Sequence, residues 1–473
     1  MKSIIEKVKN IKLEDILCLF VILCPIFDML SFIFRNVAET TWSPSSFLRP
    51  ILPLSIFAIV FFKNNIKTKM FVVSLAYGIY AAIHLYIFNL VKVEASYGGI
   101  LSELQYLVNY TFMIMNLFLF TFLFWKKDGE KLQKSILVAF GIYIVSIYIS
   151  ILTGTSSPTY IEGTGYKGWY ESGNSLCAIL CIALCVLLPM LKNKKMLPYV
   201  AILLVLSGIF LTTLVGTRTG LIGFGLIVLL YIASECFVAI VRKAKLNKKI
   251  IIISSIIVAL ILLLAIVGGS KTFERRNELK EIQVSTIDIE TGKETHLSGD
   301  LLKIKKSIDA GEITEEYLSE PMQKAIVRLY NYAEATQMEN NDMRKQQLVY
   351  NFYLVQEQQS APLMLFGNGF KAQFRELVME MEVPAFLFNF GIIGFCLYFI
   401  PFLAITIYAI YVALRNIKKI DSQYIMYLGG SGLAIFLSFL SGYTFFNSSS
   451  MIIIIVVNTL LLNKILEVKE QNK

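Results

Sequence analysis

The sequence predicts an all-α protein, a polytopic bundle of about 12 transmembrane helices with one large external loop that is mostly helical. Of the 473 residues, 56% are hydrophobic and only 16% are charged, whereas about a quarter of the residues are charged in soluble globular proteins. One long polar segment, Gly268–Val383, interrupts a chain that is otherwise a series of apolar runs. These features are typical of a polytopic membrane protein.

The spans are predicted from apolar runs long enough to cross a bilayer, which takes roughly 17 to 25 residues. They lie near residues 16–34, 47–62, 70–90, 104–125, 135–152, 175–191, 197–214, 219–241, 250–267, 384–413, 424–440 and 445–463. This order predicts nine spans in 1–267, an external loop domain in 268–383, and three spans with a cytoplasmic tail in 384–473.

Basic residues follow every even-numbered span, which is the pattern of cytoplasmic loops. They include Lys63, Lys67 and Lys69 after span two, Lys192, Lys194 and Lys195 after span six, and Arg415, Lys418 and Lys419 after span ten. Both termini are therefore predicted to be cytoplasmic and the long polar segment external. No small-residue cleavage site follows Ile16–Phe34, so we expect this run to act as an uncleaved insertion signal.

The net charge of +10 does not indicate nucleic-acid binding, because the basic residues lie in these short loops. The seven cysteines lie in or beside apolar runs, so no disulfide framework is predicted. Cys177, Cys181 and Cys185 share one helix face, where small packing residues are favoured over metal ligands. With only His84 and His296 in the chain, neither metal catalysis nor a cofactor is expected.

The external segment is predicted to be helical rather than a β domain. Good helix formers follow Pro321 and continue to Gln359, with a break expected near Asn340–Asp342. The stretch Glu281–Gly311 lacks clear periodicity and is expected to be mobile. Pro362 is expected to end the helical region.

Arginines at the predicted external face are candidates for binding an anionic headgroup. Arg218, in Gly216-Thr217-Arg218-Thr219-Gly220, is flanked by small residues that leave room for a bulky partner, and a guanidinium binds phosphate oxygens bidentately. Arg49 is either a substrate contact or an interfacial anchor that snorkels to the lipid headgroups. Arg328 and Arg344 are either solvated or, with Arg218, part of a cationic cluster suited to a pyrophosphate.

Carboxylates near the same face are candidates for a general base. Glu380 and Glu382 precede span ten, where either can accept a proton from a sugar hydroxyl or simply mark the end of the span. Asp28 and His84 lie inside apolar runs, so structural hydrogen bonds within the bundle are expected for both.

Four short motifs occur in order between Gly173 and Tyr398. They are Gly173-Asn174-Ser175-Leu176, Gly216-Thr217-Arg218-Thr219-Gly220-Leu221, Leu365-Phe366-Gly367-Asn368-Gly369-Phe370 and Asn389-Phe390-Gly391-Ile392-Ile393-Gly394-Phe395. In their order, their sidedness and the size of the loop, they resemble the bacterial O-antigen polymerase and ligase superfamily, whose polytopic members act on polyprenyl-diphosphate-linked glycans.

The resemblance implies metal-independent glycosyl transfer at the external face of the bacterial cytoplasmic membrane. The donor would be a glycan on its lipid diphosphate, held by Arg218 and loop arginines. We assign Glu171, Asn174, Gly367 and Gly369 to the substrate-binding region. The implied partners are the polyprenyl-diphosphate-linked oligosaccharide and membrane lipids, with flippase and chain-length regulator proteins as further candidates.

The ligase branch typically places a histidine ahead of a Gly-x-x-Gly stretch in this loop. Here His296 is far from Gly367, so a polymerase is favoured over a ligase. A flippase or transporter is a competing class, although the chain shows no correspondence between halves of the kind found in repeat-built transporters. Glycosyltransferases that use polyprenyl-phosphate sugars usually have an acidic pair in the first external loop, whereas this chain has only Glu39 there.

Overall fold

The computed structural model describes residues 12–40, 45–63, 67–90, 100–160, 163–243, 255, 259, 261, 266, 271–274, 286–287, 292, 294–297, 299–315, 317–340, 342–369, 377, 379–440 and 442–471. The chain divides into two compact units. The first unit comprises Met1–Lys67, Phe112–Asn277 and Phe402–Lys473, and the second comprises Thr68–Thr111 and Glu278–Pro401. This division follows packing, whereas the predicted boundaries at 267 and 383 follow membrane sidedness and stay predictions.

The described elements are almost all helical, and the all-α prediction is confirmed. The helices are α1 (Leu13–Asn36), α2 (Ser45–Lys63), α3 (Lys67–Leu90), α4 (Ile100–Leu123), α5 (Glu130–Leu152), α6 (Gly173–Leu187), α7 (Leu197–Ile209), α8 (Arg218–Arg242), α9 (Gly299–Asp309), α10 (Glu320–Thr336), α11 (Met343–Gln358), α12 (Ala361–Phe366), α13 (Glu382–Tyr398), α14 (Ile400–Arg415), α15 (Ser422–Leu440) and α16 (Ser448–Glu470). The described part also contains two 3-10 helices (Leu188–Lys192 and Ile417–Lys419), one π-helical turn (Phe210–Leu214) and two short antiparallel pairs, β1 (Ser157–Pro158) with β2 (Tyr166–Gly168) and β3 (Thr286–Ile287) with β4 (Glu294–Thr295).

Nine helices within the described ranges are long and apolar enough to cross a membrane. The helices α13 and α14 form a further span only if they are taken together across the break between them. The apolar part of α2, Leu48–Phe62, is shorter than the others, and the predicted span at 250–267 falls largely outside the described residues.

The predicted continuous span at 384–413 is wrong in its continuity, since the helix is interrupted twice. Gly391 has φ 69° and ψ −177° inside α13, a conformation that is essentially restricted to glycine. A second break precedes α14, where Pro401 has no N–H to offer the carbonyl of Leu397. The hydroxyl of Tyr77 donates to that carbonyl instead, at 2.7 Å.

The helix α6 forms the centre of the first unit. Every residue of it except Asn174 is buried, as expected for a helix that is apolar on all sides. Cys177 and Cys181 face glycines of α8: a Cβ on Gly220 would lie 3.1 Å from the sulfur of Cys177, and one on Gly223 would lie 2.8 Å from that of Cys181. These contacts confirm the cysteines as packing residues.

The second unit contains the predicted loop helices. As predicted, α10 begins with Pro321 in its first turn, and the helical region breaks before Asp342 caps α11. The buried apolar residues of this region form one core, consisting of Leu297, Leu301, Leu318, Met322, Ala325, Ile326, Leu329, Ala333, Met338, Tyr350, Leu354 and Leu377.

The loop differs from the prediction in two details. The segment expected to be mobile contains the helix α9, whose Leu301 is buried in the core of the second unit, with Ile304 and Ile308 partly buried against it. Pro362 does not end the helical region but begins the short helix α12, since proline is well accommodated in a first helical turn.

Candidate functional site

The N-termini of α6 and α8 lie side by side in the first unit. Each is capped by a hydroxyl: Ser172 accepts from the backbone N–H of Ser175 at 3.3 Å, and Thr217 accepts from that of Gly220 at 3.0 Å. The sulfur of Cys177, in α6, lies 3.0 Å from the hydroxyl of Thr217, which caps α8, and this contact links the two helix N-termini. Because a helix N-terminus carries partial positive charge, their meeting creates an electropositive position.

Arg218 is the first residue of α8 and is exposed. Within the described part of the chain, no hydrogen bond or ion pair engages its guanidinium. Its charge is therefore added to that of the two helix ends without a counter-ion from these residues. The role of Arg218 in holding an anion stays a prediction.

The backbone before Arg218 is closely packed. Gly216 has φ +80°, and a Cβ there would lie 3.4 Å from the Cβ of Lys271. The hydroxyl of Thr272 donates to the carbonyl of Thr217 at 3.4 Å. Lys271, which the sequence does not predict as a site residue, has its ammonium paired with Glu274 at 2.6 Å.

Glu171 and Asn174 flank the start of α6. The Glu171 carboxylate forms an ion pair with Arg35 at 2.6 Å, and both side chains are partly exposed. The Lys167 ammonium donates to the Glu171 carbonyl at 3.1 Å. Burial lowers the pKa of Lys167, and the Glu171 carboxylate partly offsets that shift. Asn174 is half-buried at the second position of α6.

Arg49 is not an interfacial anchor, and that interpretation is wrong. Its side chain is only 11% exposed and forms an ion pair with Asp28 at 2.8 Å. The other Asp28 oxygen accepts from the Tyr143 hydroxyl at 2.7 Å, and Ser448 accepts a hydrogen bond from Arg49. The guanidinium Nε has no hydrogen-bond partner among the described residues. The structural hydrogen bonds expected for Asp28 are therefore confirmed.

The candidate residues of the second unit are mostly paired. Arg328 binds Glu357 at 2.6 Å and lies over the ring of Tyr353 at 4.1 Å. The Nε of Arg344 lies 3.5 Å from a carboxylate oxygen of Glu380, and both side chains are partly exposed.

Glu382 differs from Glu380 because it is completely buried at the first position of α13. Burial removes the hydration of the Glu382 carboxylate and fixes its surroundings, and its role as a base stays a prediction.

The third and fourth sequence motifs pack against each other within the second unit. The N–H of Asn368 donates to the Phe388 carbonyl at 3.0 Å, and that of Gly369 donates to the Asn389 carbonyl at 2.8 Å. A side chain on Gly367 would collide with the backbone of Asn389 and Gly391. Gly367, which is predicted to bind substrate, is thus required for close backbone contact, whereas a Cβ on Gly369 would collide with the ring of Phe88.

No group of three or more His, Cys, Asp or Glu side chains suited to a metal occurs among the residues that the structure describes. His296, the only histidine of the loop segment, has its ring 3.1 Å from the Met338 carbonyl.

The comparisons identify a family. The family model described as O-antigen ligase like membrane protein matches residues 10–468. A search of curated proteins finds no match. Because the family match spans nearly the whole chain, the protein belongs to the O-antigen ligase-like membrane proteins, with a role in membrane glycan processing on a lipid-linked oligosaccharide.

Proposed function

We propose that the protein polymerises oligosaccharide repeat units carried on a polyprenyl diphosphate, at the external face of the bacterial cytoplasmic membrane. The observation that carries the proposal is the exposed Arg218, without a partner among the described residues, at the meeting N-termini of α6 and α8. Helix N-termini bind phosphate groups, and a guanidinium can hold two phosphate oxygens at once. The arrangement therefore suits the diphosphate of the donor.

The reaction is a substitution at the anomeric carbon of the donor glycan. The bond from that carbon to the diphosphate oxygen breaks, and a bond to a hydroxyl of the acceptor glycan forms. The hydroxyl proton passes to a carboxylate, for which we propose Glu382. Arg218 stabilises the charge that develops on the departing diphosphate, and preorganised contacts of this kind commonly lower the barrier more than any other feature of an active site.

Glu380 is the second candidate for the base. Its pairing with Arg344 at 3.5 Å favours a role in holding Arg344 in place. The other arginines are proposed as secondary contacts: Arg328 binds Glu357, and Arg49 binds Asp28, so each would have to exchange or share a partner to bind the donor. Arg218 needs no such exchange with any residue that the structure describes.

A ligase that transfers the glycan to another acceptor is the alternative within the same family. The Nδ1 of His296 is hydrogen-bonded to the Met338 carbonyl in the core region of the loop. Because this contact occupies the ring, it favours a polymerase that does not use a loop histidine. A carrier that moves the lipid-linked glycan across the membrane is the alternative from another class.

The experiment is a gel of lipid-linked glycans from cells with and without the gene. Loss of the ladder with retention of single repeat units is the expected result and indicates a polymerase. A full ladder that remains on the lipid and fails to reach its final acceptor would indicate the ligase. To separate the carrier from the polymerase, a glycosidase is added to intact spheroplasts before extraction: single units that it cannot reach lie on the cytoplasmic side and would indicate the carrier.

A further inference from the structure

Two side chains on one face of α3 form hydrogen bonds to backbone carbonyls at which helices of the second unit end or are interrupted. Tyr80 and His84 lie four residues apart, so their side chains project from the same face. The hydroxyl of Tyr80 donates to the carbonyl of Phe390, next to the interruption of α13, at 2.7 Å. The Nδ1 of His84 lies 2.6 Å from the carbonyl of Phe366, the last residue of α12.

His84 forms a buried pair with Glu103 of α4. The His84 Nε2 lies 2.7 Å from a Glu103 carboxyl oxygen, and both side chains are almost completely buried. The Phe366 carbonyl can only accept, so the Nδ1 of His84 carries a proton. One further proton then lies between Nε2 and the carboxyl group, either on His84 or on Glu103. The pair has no net charge in either case.

The pair reaches both ends of the turn Phe366–Gly369. His84 bonds to the carbonyl at its start. At its end, a Cβ on Gly369 would lie 3.0 Å from the second carboxyl oxygen of Glu103 and would collide with the ring of Phe88. The turn therefore cannot shift without disturbing the pair.

The same turn fixes the first half of α13. A helix interrupted at Gly391 cannot continue its own hydrogen bonds through that residue. The N–H groups of Asn368 and Gly369 donate to the carbonyls of Phe388 and Asn389 instead. Irregular backbone at membrane depth is tolerated only where protein satisfies it in this way. The half-helix held by these bonds begins at Glu382.

We infer that His84 and Glu103 are positioning residues for the glycosyl transfer: through the hydrogen bond between them they fix the turn Phe366–Gly369, and through it the half-helix that carries Glu382. The inference rests on the proposed role of Glu382 as the base. A displacement of about 1 Å in a catalytic group can lower the rate roughly 10²-fold, so the pair acts on turnover although it touches no substrate.

The first test measures hydrogen exchange at the amides of Asn368 and Gly369 in the purified full-length protein. Glu103→Gln keeps a partner for the His84 Nε2, because the amide can donate to it, whereas Glu103→Leu removes that partner. Exchange at least 10-fold faster in Glu103→Leu, and unchanged in Glu103→Gln, is expected. Unchanged exchange in Glu103→Leu would overturn the inference.

The control is Glu235→Leu. It also removes a buried carboxylate, one that pairs with Lys192 at 2.8 Å in the first unit. Exchange at the turn should not respond to this substitution, and an equal response would mean that the effect is general loosening of the protein, which also overturns the inference.

The second test measures kcat and KM for elongation of lipid-linked glycan extracted from the cells. Glu103→Leu should lower kcat roughly 10²-fold and leave KM within about twofold, and Glu103→Gln should restore kcat. A normal kcat in Glu103→Leu together with an inactive Arg218→Ala would overturn the inference and leave the proposed function standing. A wild-type protein that elongates nothing would overturn both.

Discussion

Gly367 and Gly391 lie against each other so closely that neither can carry a side chain. A Cβ on Gly367 would come within 2.5 Å of the Gly391 nitrogen, and a Cβ on Gly391 would come within 2.5 Å of the Gly367 nitrogen. Both residues also have positive φ, 86° and 69°. The two motifs that contain these glycines, although separate in the chain, therefore form a single structural unit.

Substitution of either glycine should destabilise the protein. The backbone conformation alone costs a non-glycine residue on the order of 1–3 kcal/mol, and the collision with opposing backbone adds to that cost. Gly391→Ala and Gly367→Ala should each lower the melting temperature and the amount of protein in the membrane. Gly432→Ala is the matched control, because a Cβ there meets nothing within 4 Å and alanine favours a helix. Equal stability of all three variants would refute this account of the contact.

The buried pair of Arg49 and Asp28 should be sensitive to the loss of one partner. Removing one member of a buried ion pair typically costs about 3–5 kcal/mol, because the other charge stays behind. Arg49→Ala and Asp28→Leu should each reduce the accumulation of folded protein.

The double variant Arg49→Met with Asp28→Leu should recover much of that accumulation, since apolar residues of similar volume can replace a buried pair. A glycan ladder restored with it would show that Arg49 is structural. Accumulation without a ladder would support its proposed contact with the donor.

Membrane sidedness is open to a direct test. A reporter that is active only outside the cytoplasm should be active when fused after Lys306 and inactive when fused after Lys195, because basic clusters follow the even-numbered spans. Fusion of a reporter that is active only in the cytoplasm at the same two positions provides the control. The reverse pattern would remove the basis for an external site.

Elongation should not require a metal. Purified protein washed with a strong chelator should elongate lipid-linked glycan at its original rate, because the proposed chemistry uses the guanidinium of Arg218 where other enzymes use a metal ion. Loss of activity that returns on addition of a divalent cation would contradict this mechanism.

The sequence predicted the structural elements that depend on residues close together in the chain. Apolar runs indicated the described spans, Pro321 and the helix formers after it predicted α10, and the position of Cys177 and Cys181 in an apolar helix predicted packing. The break at Gly391 was not predicted, because an apolar run containing one glycine is compatible with an unbroken helix.

The candidate site was harder to predict from sequence, because the residues that contact each other there are far apart in the chain. Arg218 was identified from its small neighbours, and its exposure at a helix start agrees with that reasoning. The partners of Arg49 were not identified, since Asp28 and Ser448 are far from it in sequence. Glu103 was missed altogether: one carboxylate near the start of an apolar run gives no signal until His84 is placed beside it.

The most direct test of the diphosphate site is the glycan ladder of cells that express Arg218→Ala at the wild-type level. Removing one preorganised contact to a developing anion typically costs about 3–4 kcal/mol, or roughly 10²- to 10³-fold in rate. Arg218→Ala should abolish the ladder and leave single repeat units, and Arg218→Lys should recover it only in part, because a lysine cannot hold two oxygens in a planar fork. A normal ladder from well-expressed Arg218→Ala would contradict the account and move the diphosphate site away from the meeting ends of α6 and α8.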